Sequence, residues 1–153
     1  MVKEFTLACE ISWAEYQLLF ETYESFNQQA LTIKGWSVTI GLATIVAIYS
    51  QMVGRLGKTA LWIASLSVIP FWWMDAYWKS FQNAYLGALK TLEAEPTCAI
   101  TDKPTLSLIG LWEQEYVSLD FVGLLFVPSV ALPHAIILAV GIYLVHRHPP
   151  TPQ

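Results

Sequence analysis

Between Lys34 and Arg55 the chain runs for 20 residues, Gly35–Gly54, without a charged side chain. A helix needs about 20 such residues to cross the hydrocarbon core of a bilayer. The match makes a membrane-spanning helix the reading that the rest of the chain has to fit. Composition agrees with it. Charged residues are 13% of the chain, apolar residues 55%, and the mean hydropathy is +0.46. A soluble domain carries about 25% charged residues, so this chain is short of water-facing surface, and lipid would supply what is missing.

Two more charge-poor runs follow. Thr59–Met74 holds 16 residues, and Phe121–Val145 holds 25 without Asp, Glu, Lys or Arg. The first is short for a span, but amphipathic rings at headgroup depth extend the tolerated length. Trp36, Trp72, Trp73 and Trp78 are the expected interfacial anchors. Pro70 is expected to kink the second span. Pro128 and Pro133 interrupt the third run, which reads as one kinked span or as a re-entrant pair of half-helices. Gly54–Lys58, GRLGK, reads as a tight basic turn between the first two spans.

Outside these runs the periodicity is helical. Trp13, Tyr16, Phe20, Tyr23, Phe26, Ala30 and Ile33 recur by threes and fours, with Glu15, Glu21 and Glu24 turned away. No breaker separates this stripe from the first span. One continuous helix is therefore expected from about Ile11 to Val53, about 65 Å long, after a mixed segment 1–10 that is a short strand or a frayed end. Met74, Trp78, Phe81, Tyr85, Leu89 and Leu92 form a second stripe beyond the second span. The two stripes are expected to pack on each other or on other subunits. Trp13, Phe20, Tyr23, Phe81 and Tyr85 are the expected partner or oligomer face.

The fold class is thus all-α: an integral membrane protein with three transmembrane helices and helical cytoplasmic extensions of the first two. The expected organisation is an amphipathic helix over 1–34, a transmembrane hairpin over 35–74 and a helical extension over 75–95. A loop and an interfacial helix over 96–120 follow, then a third span over 121–147 and a tail over 148–153.

Charge excludes some functions. The net charge of −4 and eight unclustered Lys and Arg leave no basic footprint for nucleic acid. Cys9 and Cys98 have no metal-type spacing, and MVKEFTLACEISW lacks the basic and apolar regions of a cleaved signal. With an odd number of spans, all twelve acids fall on one side with five Lys, and Arg55, Lys58 and Arg147 fall on the other. Placing the acid-rich side in the cytoplasm keeps both cysteines in a reducing compartment.

Two ionisable groups stand out. His134 falls near the middle of the third run, where a titratable group points to function. It is expected to serve as a proton relay, a pore-lining pH sensor or a haem ligand, or else to bond a carbonyl freed by Pro133. A two-His haem site is disfavoured because His146 and His148 sit at the membrane edge. Asp75 closes the second run among aromatic rings. It is expected either to pair with Lys79, four residues on, or to form an acidic ring at a pore mouth when copies assemble. Asp75, Lys79 and His134 are therefore the pore or gating candidates. No nucleophile elbow, phosphate loop, HExxH or paired catalytic carboxylates occur, so no catalytic residue, metal or cofactor is expected.

ALTIKGWSVTI (Ala30–Ile40) and FWWMDAYWKSFQNAYLGAL (Phe71–Leu89) resemble small bacterial membrane proteins of the SLATT-like hairpin effector type, over about residues 11–95. The resemblance implies an effector of antiphage defence modules that oligomerises and disrupts the membrane on an infection signal. The third run stands where a soluble sensor is expected, which implies that sensing belongs to a separate partner. The leading expectation is a pore-forming or membrane-perturbing homo-oligomer of the bacterial inner membrane, multi-pass, with a cytoplasmic N-terminus. Its partners would be the lipid bilayer, further copies and a cytoplasmic defence protein. The alternatives are a membrane scaffold that recruits a cytoplasmic partner, and a small proton-coupled transporter subunit that uses His134.

Overall fold

The computed structural model describes the backbone of residues 2–50, 57–94, 108–117 and 120–150. It describes their side chains except for residues 2–9, Ser12 and Leu108. Among the described residues the structure is helical, with no strand. The elements are α1 (Val2–Tyr49), α2 (Gly57–Leu66), α3 (Val68–Ala94), α4 (Leu108–Val117), α5 (Phe121–Leu125) and α6 (Pro128–Arg147). Most of the GRLGK turn, Cys98 and the side chain of Cys9 lie outside the described residues.

The helix α1 runs without interruption from its amphipathic part into its apolar part, as the absence of a breaker predicts. It begins at Val2, so residues 2–10 are helical rather than a strand or frayed end. The second apolar run departs more from expectation. It is divided into α2 and α3 at Ser67, one turn before Pro70. The proline has no N–H to give the Leu66 carbonyl four residues back, and its ring crowds that carbonyl. The chain accordingly ends one helix at Leu66 and starts the next with Pro70 in its first turn. The third run also divides, but at Phe126–Val127 rather than at Pro133. Pro128 takes the first position of α6, where a missing N–H costs nothing, and Pro133 stays inside that helix. Two helices are long and apolar enough to cross a membrane, α1 within Trp13–Tyr49 and α6 over Pro128–Arg147.

The chain forms two compact units, which divide within α1 at 28/29 and within α3 at 77/78.

The first unit holds residues 1–28 and 78–120. Its interior is aromatic. Phe26 meets Trp78, Phe81 and Tyr85 at ring-centroid distances of 5.2, 5.7 and 5.4 Å. Phe81 in turn meets Trp112 at 5.7 Å and Tyr116 at 5.4 Å. Leu19, Ala88 and Leu89 continue the core, flanked by Tyr16, Tyr23, Tyr85, Leu92 and Leu111. The two predicted stripes therefore do pack on each other. The short helix α4, expected in an interfacial plane, turns Trp112 and Tyr116 into the same cluster.

The second unit holds residues 29–77 and 121–153. Ile45, Ile48, Leu61, Ala64 and Val145 join α1, α2 and α6. Small residues bring the helices close, as in helix packing without a hydrophobic driving force. A Cβ built on Gly141 would lie 2.6 Å from the Ser65 Cβ, and one on Gly41 would lie 2.6 Å from Ile137 Cγ2. Gly35 has nothing within 4 Å of such a Cβ. Gly141→Ala should therefore lower stability by about 1–3 kcal/mol, the usual cost of overpacking. Gly35→Ala should instead raise it by up to about 1 kcal/mol through helix propensity. Thermal unfolding of the purified variants followed by circular dichroism checks both signs.

Candidate functional site

The second unit buries several polar side chains beside its apolar core and leaves other large apolar ones exposed. Ser37, Ser65, Asp75 and His134 are buried, while Val46 is 62% and Ile63 66% exposed, and Leu132 and Ile136 also face outward. Two helical hydroxyls here are spent locally. Thr44 donates to the Ile40 carbonyl and Ser65 to the Leu61 carbonyl, each four residues back. Ser37 instead reaches another helix, and that departure marks the site.

Lys34 and Ser37 are three apart and so share a face of α1. Asp75 comes from α3 and His134 from α6. Both are 0% exposed. Lys34 Nζ lies 2.7 Å from Asp75 Oδ1, and its side chain keeps 18% exposure. His134 Nε2 lies 3.2 Å from Asp75 Oδ2. Ser37 Oγ lies 2.8 Å from His134 Nδ1. The four groups form one chain, ammonium to carboxylate to imidazole to hydroxyl, with the ammonium at the end that reaches the surface.

The partners assign the hydrogens. A carboxylate paired with an ammonium only accepts, so His134 Nε2 carries the N–H. Nδ1 of the neutral ring then accepts, and the Ser37 O–H donates to it. A second proton on the ring is also accommodated. Nδ1–H would donate to Ser37 Oγ, whose hydroxyl hydrogen turns away, and the imidazolium would form a second charge pair on Asp75. No ring nitrogen is left unpaired in either state, and in a buried polar network full satisfaction is what avoids a large cost.

Trp72 positions this group. Its ring stacks on His134 with centroids 6.4 Å apart and planes at 18°. Its Nε1–H donates to the Leu125 carbonyl at 2.9 Å, one of the carbonyls that the end of α5 leaves without a helical partner. Trp73 packs edge-on against Phe121 at 5.0 Å.

Several expectations are thereby corrected. Asp75 is expected to pair with Lys79, and its two oxygens instead meet Lys34 and His134. Lys79 belongs to the first unit and donates to Gln82 Oε1 at 2.7 Å. His134 does not bond a carbonyl freed by Pro133; both of its nitrogens face side chains. Of the four expected anchors, Trp36 and Trp73 face outward, while Trp72 and Trp78 are half-buried in ring contacts. On the expected partner face, Trp13 and Phe20 are exposed, whereas Tyr23, Phe81 and Tyr85 are at least partly covered by packing. Sequence reasoning missed Lys34, Ser37 and the positioning role of Trp72. A signal for Lys34 was present: it directly precedes the first charge-free run as Asp75 directly follows the second, and an antiparallel hairpin brings those two places to one level. Among the described residues no group of His, Cys, Asp and Glu could hold a metal ion.

Removing one partner of a buried ion pair leaves an uncompensated charge. Lys34→Met should cost about 3–5 kcal/mol, and Lys34→Met combined with Asp75→Leu should recover a large part of that loss. A double-mutant cycle on the unfolding free energy measures the coupling. No family model, no curated protein and no solved structure matches this chain.

Proposed function

We propose that this chain is a multi-pass protein of the bacterial inner membrane, with its N-terminus in the cytoplasm, that works as a small proton-coupled transporter subunit. The observation that carries this reading is the buried chain Lys34–Asp75–His134–Ser37. Buried ionisable groups are costly in lipid, and where they occur they commonly serve ion or proton pathways. The apolar exterior of the second unit supports the membrane placement, since a soluble protein seldom exposes so continuous an apolar surface. Two spans come from α1 and α6, and α2 with the start of α3 makes the third. His134 is the group that would pass a proton along this chain, and the ammonium end at Lys34 is the side on which water has access. Asp75 and His134 are fully buried, so conduction through the cluster requires the helices to rearrange.

The reading is tested in vesicles that trap a pH-sensitive dye. Wild-type protein should collapse an imposed pH gradient faster than empty vesicles do. His134→Ala should remove that activity while helicity and mass in detergent stay unchanged; wild-type rates in this variant would sink the reading.

The second reading is the oligomeric, membrane-perturbing effector of antiviral defence implied by the resemblance. A specific observation favours association. Trp13 is 61% and Phe20 47% exposed, on a ladder in which Trp13, Tyr16 and Phe20 stack at 5.8 and 6.5 Å. Such rings are strong anchors for a partner or a second copy. This reading expects a detergent-corrected mass several times 17.2 kDa, a fall toward that value in Phe20→Glu, and leakage of dye-loaded liposomes. An oligomer that leaves liposomes intact would support the scaffold alternative instead.

A further inference from the structure

The first unit contains a cleft of about 420 Å³ between α1, α3 and α4. Leu18, Leu19, Thr22 and Phe26 line it from α1, and Phe81, Tyr85, Ile109 and Trp112 from α3 and α4. The volume falls in the range of sites that take a drug-sized molecule. The wall is apolar and rich in rings, a poor setting for ordered water, which needs polar partners.

Among the described residues of this unit, two polar atoms are buried without a partner: Glu15 Oε1 and Trp112 Nε1. A buried orphan polar atom needs an explanation, and an absent ligand is one. Trp112 itself lines the cleft. Glu15 stands three and four residues before Leu18 and Leu19, hence on the same face of α1, one turn beyond the lining. A wall of aromatic faces and an indole N–H without an acceptor thus meet in one space, with a carboxylate that has one unpartnered oxygen a turn away along α1. Aromatic faces attract cations, most strongly when water is excluded. Burial of an acid calls for a positive partner.

We propose that this cleft binds a planar aromatic cation, with its rings against Phe26, Phe81, Tyr85 and Trp112 and its positive charge toward Glu15. The Trp112 N–H meets an acceptor atom or the π face of the ligand. The proposal does not depend on proton handling by His134, which belongs to the other unit.

The probe is ethidium, titrated by fluorescence into the full-length purified protein, with the neutral dye N-phenyl-1-naphthylamine in parallel. Saturable ethidium binding is expected, together with weaker binding of the neutral dye. Glu15→Gln should weaken ethidium by about tenfold, as expected for the loss of a buried charge partner, and should leave the neutral dye unchanged. Leu18→Trp fills the cleft from an exposed position without disturbing the core, and should abolish saturable binding of both dyes. Ethidium affinity unchanged in both variants would overturn the proposal. So would a neutral dye that binds as tightly as ethidium. Absence of ethidium binding, with a change of mass in detergent on Leu18→Trp, would show instead that the cleft is an interface between copies.

Discussion

The carboxylate of Asp75 holds three helices together. Its two oxygens face a lysine of α1 and a histidine of α6, and it stands on α3 itself. A carboxylate removed from water loses hydration worth several kcal/mol even after relaxation, so its position is tolerable only while both partners remain. That requirement sets the level of α1 against α3 and of α6 against both. It explains why Ser37 is turned inward, because the imidazole that serves Asp75 with one nitrogen needs a partner for the other. It also explains the stacked Trp72, which covers the ring face and holds it in plane.

The two units differ in what accompanies their apolar cores, although α1 and α3 contribute to both. In residues 1–28 and 78–120 the core is apolar and aromatic, with Leu19, Ala88 and Leu89 beside the rings of Phe26, Phe81 and Trp112, as hydrophobic burial from water favours. In residues 29–77 and 121–153 an apolar core of Ile45, Ile48, Leu61, Ala64 and Val145 is joined by the buried Ser37, Ser65, Asp75 and His134, while Val46, Ile63, Leu132 and Ile136 face outward. Close backbone contact and polar bonds between helices add to the cohesion of this unit. Gly41 and Gly141 supply that contact, and the Asp75 cluster supplies the bonds.

The helix breaks belong to the same design. Proline sets both of them, Pro70 by its conflict with the Leu66 carbonyl and Pro128 by its preference for a first helical turn. The Trp72 indole lies near the first break in sequence and bonds the Leu125 carbonyl at the second. The ring that positions His134 is therefore also the ring that satisfies the end of α5.

Much of the fold was legible in the sequence. Helical periodicity from Trp13 to Ile33 and from Met74 to Leu92 placed the two stripes, and the lack of a breaker placed their continuation. The charge-free runs marked where apolar helices would stand, and depth alone singled out Asp75 and His134. What the sequence could not supply was partnership. Lys79 is four residues from Asp75 and was the natural local partner, yet Lys34, 41 positions away, holds the carboxylate. A spacing rule describes one helix and cannot compare it with the energy released when a buried charge meets a counter-charge on another. In the same way Pro133 suggested a free carbonyl for His134, while the packing of α1 against α6 offered Ser37. Element type follows from local propensity and periodicity, which the chain carries residue by residue. The site exists only where three helices converge, because desolvation is imposed by tertiary packing and only there does it make each polar bond obligatory.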